Sequence, residues 1–209
     1  MTAAKEGFVK YAALHEDSPA IDTPGWSELN EARNRCRDLG LIGVYANGVG
    51  YGNLSVRVKT QVPGKSAFLI SGTATGAKKV LEKQDYCLVK SIDIERNQVT
   101  SAGPIQASAE SMTHGAVYLA RSGVNCVIHI HSRVIFDGMT RAGNYPFTPK
   151  EAAFGTPEIA LAVMRRANET GADEGQIVLA GHDEGIIAYG ADVKKALALI
   201  MDLYREYGG

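Results

Sequence analysis

The chain has 209 residues, of which 45% are hydrophobic and 22% charged, and 22 basic residues balance 23 acidic ones for a formal net charge of -1. A chain of this length buries about 70% of its unfolded surface in one core. The composition excludes a disordered chain, and the charge balance offers no basic excess for nucleic acid or an anionic membrane. Cys36, Cys87 and Cys126 are odd in number and widely spaced, with no CxxC, which excludes a disulfide framework and a zinc ribbon and suits core thiols in a reducing cytoplasm. The first twenty residues lack the apolar run of a signal peptide, and no segment approaches the roughly 18 apolar residues of a membrane span. A soluble cytoplasmic protein is expected.

In chain order, residues 3–15 read as a short helix and 1–26 as an N-terminal extension ahead of a domain over 27–209. Thr23-Pro24 reads as a helix start, with threonine as cap and proline in the first turn. Leu29, Ala32, Cys36 and Leu39 then recur at helical spacing, and Gly40 is a natural stop. Residues 53–58 alternate as a strand does, with 66–71 as hairpin partner, and 86–94 with 98–101 form a second hairpin turning at Glu95-Arg96-Asn97. Ser108 is placed to cap a helix running to about Arg121. Val124–His131 is a short β-branched strand, and Thr156-Pro157 opens an amphipathic helix ending near Gly171. Strands over 176–180 and 185–189 follow, then a closing helix capped by Asp192. Hairpins interleaved with helices predict a sheet sandwiched by helices, with much antiparallel pairing.

Histidines carry the chemical signal. Side chains at i and i+2 of a strand share a face, so His129 and His131 in VIHIHS can aim both imidazoles into one pocket and chelate one divalent metal. Taken alone, the pair is equally compatible with two buried strand histidines bonded to backbone. A metal centre needs a third ligand, and a catalytic one keeps a position open. His182 in LAGHDEGIIAYG is the best candidate, with Asp183 and Glu184 as alternatives, whereas His15 in its polar stretch reads as surface. Glu110 at a helix start is either a first-turn charge or a general acid/base beside the metal. His114, one turn on, would pack structurally or hydrogen-bond that carboxylate. The loops YGNLS (51–55) and SGTATG (71–76) could cradle a phosphate or serve only as turns.

Together these segments resemble the class II aldolase/adducin family. The resemblance runs collinearly over roughly residues 27–205, through LGLIG, YGNLSVR, FLISGTATG, ASAESMTHGAVY, VNCVIHIHS, FGTPEIA and GHDEGIIAYG. It implies a three-layer α/β/α sandwich with a central, largely antiparallel sheet. It also implies Zn2+, or Mn2+, Co2+, Ni2+ or Fe2+, on His129, His131 and His182, with Glu110 as the acid/base residue. Substrate phosphate would sit near Gly52, Asn53, Thr75, Gly76 and Ser108. The implied activity is that of a metal-dependent lyase of aldolase type, cleaving a small hydroxylated carbonyl compound such as a ketose phosphate through a metal-stabilised enediolate. The same scaffold also serves epimerases, dehydratases, decarboxylases and non-catalytic adducin-like interaction domains. Family enzymes are homotetramers with active sites at subunit interfaces. This sequence departs from the pattern at Ala109, where a second serine is usual, and at Asp183-Glu184, where glycine often follows the histidine. Tyr145, Tyr204 and Tyr207 are the candidate phenols.

Overall fold

The computed structural model describes residues 9–58 and 67–208. Five helices and ten strands follow one another as β1 (Ala12–Asp17), α1 (Trp26–Asp38), β2 (Gly43–Val44), β3 (Gly50–Tyr51), β4 (Asn53–Val58), β5 (Ala67–Ser71), β6 (Tyr86–Asp93), β7 (Gln98–Gly103), α2 (Ser111–Ala120), β8 (Cys126–His131), α3 (Arg133–Ala142), α4 (Pro157–Thr170), β9 (Gly175–Val178), β10 (Gly185–Gly190) and α5 (Val193–Tyr207). Eight strands form one sheet in the order β1-β7-β6-β5-β4-β8-β10-β9, and β2 pairs with β3 separately. Every neighbour in the large sheet is antiparallel except β1 beside β7.

Two apolar cores flank the sheet. Met112, Ala116 and Val117 of α2 and Ile159, Ala160 and Val163 of α4 pack with Phe68, Ile70, Val127 and Ile187 on one face. Leu29 and Cys36 of α1, Ile135 and Met139 of α3, and Ala196 and Ile200 of α5 pack with Leu54, Leu69, Ile128 and Ile130 on the other. The period of two along β8 sorts Cys126, Ile128 and Ile130 to the α1/α3/α5 face and Val127 to the α2/α4 face, so His129 and His131 share the latter side. This is the predicted layered α/β sandwich. All three cysteines are buried and free. Among the described residues, no helix is long and apolar enough to cross a membrane.

Four local expectations are corrected. Residues 12–17 are a strand, not part of a helix; its edge position leaves most side chains exposed, and its order comes from parallel pairing with Gln98–Gly103. Residues 3–8 of that stretch, and Ser66 of the predicted second strand, lie outside the described residues. Thr23 is not the cap of α1: its hydroxyl donates to Pro24 O, and Gly25 at φ 93 occupies the cap position. Ser108 precedes α2 by a turn, with Glu110 at the cap position. The α3 helix, in a stretch left without an element, starts because the Ser132 hydroxyl accepts from Ile135 N and ends at Gly143 with φ 71.

Side-chain truncations at a buried and an exposed position should separate cleanly. Ile128→Ala empties a fully buried site and should lower the urea-unfolding free energy by about 2–5 kcal/mol. Val134→Ala on exposed α3 should change it by less than about 0.5 kcal/mol.

Candidate functional site

The site sits where β8 runs between β4 and β10. Register places Asn53 of β4 across from His129 on one side and Ile187 of β10 on the other. His182 reaches the same place from the β9–β10 turn, where His182 N donates to Leu179 O and Gly185 N to His182 O, both at 2.8 Å. A side chain at Gly185 would press on His129 Cε1 and His182 O, so the turn can close over the imidazoles only with glycine there. The rings of His129 and His182 lie 5.0 Å apart by centroid, and those of His131 and His182 4.7 Å. One nitrogen from each of the three imidazoles lies within 4.8 Å of the others.

Hydrogen bonds settle the tautomer of His129. Its Nδ1 stands 3.1 Å from Ile186 O, and a carbonyl can only accept, so Nδ1 carries the proton and Nε2 presents a lone pair. That lone pair faces His131 Nε2 at 2.9 Å. Burial holds both imidazoles well below the ordinary histidine pKa, and neighbouring histidines push further the same way. Neutral, converging imidazole nitrogens are the donor set that zinc and similar divalent ions take. The residues present therefore fit a metal ion.

Glu110 is 2% exposed. Its Oε2 accepts from Thr113 Oγ1 at 2.7 Å. Its Oε1 lies 3.5 Å from His182 Nδ1 and has no hydrogen-bond partner among the described residues. Thr113, not His114, is thus the group that holds the carboxylate. His114 instead shares the Ser55 hydroxyl through Nδ1 at 2.7 Å, and Ser55 contacts Tyr118 OH at 2.7 Å. His15 is not a surface group either: it bonds Ser101 Oγ at 3.0 Å and Gly103 O at 3.1 Å.

A cleft opens beside these groups, and Gly52, Asn53, Thr75, Gly76, Ser108, Glu110, His129, His131 and His182 all line it. Two glycines are required by close approach. Gly52, at φ +74, would bring a Cβ to 3.1 Å from His129 O, and Gly76 would bring one to 2.0 Å from Gly43 O. Asn53 Oδ1 is buried with no hydrogen-bond partner among the described residues. Tyr145, Tyr204 and Tyr207 are elsewhere, packed against the α1/α3/α5 core on the opposite face.

Three contributors were not singled out by sequence. Arg33 of α1 is 1% exposed, and its guanidinium donates to Thr75 O (3.1 Å), Lys78 O (2.6 Å) and Lys79 O (3.1 Å). It gathers the carbonyls of the 75–79 segment on the side away from the cleft. Phe154 stacks on His182 with centroids 4.9 Å apart, and Lys10 Nζ lies 4.1 Å above the Phe154 ring. Tyr45 OH stands 2.9 Å from His131 Nδ1 and donates to Glu184 Oε2 at 2.9 Å. Arg33 carries no local motif, and Phe154 opens the FGTPEIA segment without any local signal that it meets a histidine. Tyr45 and Glu184 were visible as residue types, but only the fold joins them.

A layered sandwich with buried imidazoles clustered at mid-sheet defines an α/β protein equipped for small-molecule chemistry in a metal-competent cleft. The profile of the class II aldolase and adducin N-terminal domain matches residues 36–205, and the chain belongs to that family. A methylthioribulose-1-phosphate dehydratase from Leptospira interrogans (serovar Lai) is 35% identical over 86 residues, 39% of this chain and 32% of that protein. The match thus spans about a third of the relative's length. The structure of an L-fuculose 1-phosphate aldolase superposes with TM-score 0.64 at 18% identity, over 89% of this chain and 84% of that one. The structure of YgbL from Klebsiella pneumoniae gives 0.61 at 19% identity over 86% and 84%. At those identities the likeness is one of fold.

Two measurements follow from the site's surroundings. Arg33→Met leaves buried carbonyls without donors and should lower the unfolding free energy by about 3 kcal/mol in urea titrations. Burial pushes the His114 imidazole down to about 3, whereas the unfolded side chain titrates near 6.5. Its share of stability is complete above that unfolded value and is lost as pH falls from there toward 3, because only the unfolded state takes the proton. The His114 ring nitrogens should keep neutral-imidazole 15N shifts from pH 8 to pH 5.

Proposed function

We propose that the protein is a metal-dependent lyase acting on a small hydroxylated carbonyl compound, with a ketose phosphate as the substrate class. The convergence of three imidazoles and one buried carboxylate on a single cleft supports this reading most directly. His129, His131 and His182 would hold the ion, as Zn2+ or a similar divalent cation. Bound there, it would polarise the substrate carbonyl and offset the negative charge that develops on its oxygen.

The chain's own groups divide the remaining work. Asn53, Thr75, Gly76 and Ser108 receive the anionic end of the substrate. With Ala109 beside Ser108, the hydroxyl of Ser108 and the Asn53 amide carry more of that recognition than in relatives with two serines. Glu110 Oε1 exchanges a proton with the carbon next to the carbonyl, while Thr113 holds Oε2 and fixes the carboxylate's direction. Phe154 and the glycine turn at Gly185 cover His182 and exclude water from its side of the cleft.

Carbon–carbon cleavage and dehydration both pass through that proton exchange, so Glu110 serves either. The aldolase reading has the fold neighbour with the higher TM-score behind it; the dehydratase reading has the higher-identity sequence match. Incubation with L-fuculose 1-phosphate and with methylthioribulose 1-phosphate distinguishes them, by aldehyde release in the first case and loss of water in the second. No turnover of either type by metal-loaded protein, across a panel of ketose phosphates, would count against a lyase and for an adducin-like interaction module. Glu110→Gln should slow proton exchange at the α-carbon in D2O by about 10²–10⁴-fold. Elemental analysis should find one metal ion per chain, lost in His129→Ala. The tetramer with sites at subunit contacts is part of the same reading, and light scattering should return four chains of 22.3 kDa.

A further inference from the structure

Asp183 and Glu184 follow His182 directly. Glu184 adopts a left-handed backbone at φ 64, a conformation that is strained for a non-glycine residue. Such strain persists where side-chain contacts outweigh it. Here the carboxylate takes the Tyr45 hydroxyl on Oε2 at 2.9 Å and Arg133 Nε on Oε1 at 3.2 Å. Arg133 also pairs with Asp183 and, at 3.8 Å, with Asp137. Serine at 132 starts α3 one residue before Arg133, so the first turn of that helix holds the guanidinium over the histidine turn.

The direction of this chain of bonds is fixed by what each atom can do. A carboxylate only accepts, so the single proton of the Tyr45 hydroxyl goes to Glu184. The Tyr45 oxygen then faces His131 Nδ1 at 2.9 Å with a lone pair, and His131 Nδ1 must carry the donated hydrogen. Nε2 of the same ring then carries no hydrogen and, like His129 Nε2 2.9 Å away, offers a lone pair for an ion. His129 reaches the same state by a shorter route, through Ile186 O.

We propose that Tyr45 and Glu184 are positioning residues that lock His131 as the Nδ1–H tautomer with Nε2 directed into the cleft, Arg133 holding the Glu184 carboxylate from the surface. This rests on the reading of His131 as a metal ligand. The arrangement fixes ring rotation as well as tautomer, since a flip would put a protonated or bare nitrogen against the wrong partner. Outer contacts of this kind are worth about 10–100-fold in metal affinity.

The test compares the full chain with Tyr45→Phe, Glu184→Ala and Glu184→Gln. Zinc dissociation constants come from chelator competition, and His131 ring-nitrogen shifts from 15N NMR of the metal-free proteins. Tyr45→Phe and Glu184→Ala should weaken zinc binding about 10–100-fold and give His131 a mixed tautomer population. Glu184→Gln, which keeps an oxygen acceptor for Tyr45, should recover most of the affinity. An unchanged melting temperature in Tyr45→Phe shows that the fold is intact. Zinc binding by Tyr45→Phe within twofold of the parent chain overturns the proposal. Should the parent chain itself take no zinc, the metal reading fails, and the tautomer then decides: a His131 pattern identical in parent and Tyr45→Phe overturns the positioning role, and an altered one sustains it.

Discussion

Desolvation of two imidazoles on one strand is the constraint around which the rest of the structure is arranged. His129 is fully buried and His131 nearly so. Burial in a low-dielectric interior penalises the imidazolium form, and a second imidazole within 3 Å penalises it again. The pair is thereby kept neutral, the state in which histidine ligates metals. A surface HxH pair would instead protonate as the medium acidified. The interior position costs free energy for each polar ring, and the hydrogen bonds from Nδ1 to Ile186 O and toward Tyr45 offset it.

A central strand is the place in this sheet that can supply such burial together with exact repetition of side-chain direction. β8 is paired on both sides, by β4 and β10, so its backbone groups are satisfied and its pleat cannot slip by one residue without sending Ile128 and Ile130 to the wrong core. The two cores on either face therefore hold the histidines' direction. Neighbouring elements bring everything else: Asn53 from the start of β4, Glu110 from the cap of α2, His182 from the β9–β10 turn. Two segments along the cleft are tied back to the scaffold by buried polar groups, Arg33 beneath the 75–79 carbonyls and Tyr11 OH on Ala107 O and Ser108 O. Binding groups on loops held by a rigid sheet are the usual division of labour.

How much of this was legible in the sequence depended on how local each signal was. The strand pair 53–58 and 67–71, the His129–His131 spacing and the Thr156–Gly171 helix rest on period, caps and turn residues, which a sequence displays. The grouping of Glu110, the histidines and the 52–53 and 75–76 positions was reachable through a family resemblance, because geometry over such separations has no local signature. Residues 12–17 were misread because an edge strand exposed on both sides lacks alternation; its order comes from pairing with β7, a partner 86 residues away at His15–Ser101. The α3 helix went unread because it begins one residue after β8. Arg33 looked like any charge on an amphipathic helix, and only the folded loop reveals carbonyls converging on it. His114 was placed within reach of Glu110 by helical spacing, yet Ser55 from β4 claims its nitrogen, and Thr113 takes the carboxylate.

The cleft also constrains what chemistry one chain can complete. Among its described lining residues, Glu110 is the one carboxylate, and the histidines are occupied as neutral ligands if an ion is bound. Tyr51 lines the cleft, but its hydroxyl donates to Gly40 O, away from the imidazoles. The candidate phenols at 145, 204 and 207 lie across the sheet. A lyase reaction moves two protons, one at the carbon beside the carbonyl and one at the oxygen that leaves or becomes a new carbonyl. On the proposed reading, Glu110 handles the first. The second would be exchanged with solvent, with the substrate's own phosphate, or with a residue that another copy of the chain brings to the open side of the cleft. Which of these supplies it separates carbon–carbon cleavage from dehydration, since the first withdraws a proton from a hydroxyl and the second delivers one to it. On that reading the branch between the two reactions lies at the open mouth of the cleft, and the buried imidazole–carboxylate centre would be common to both.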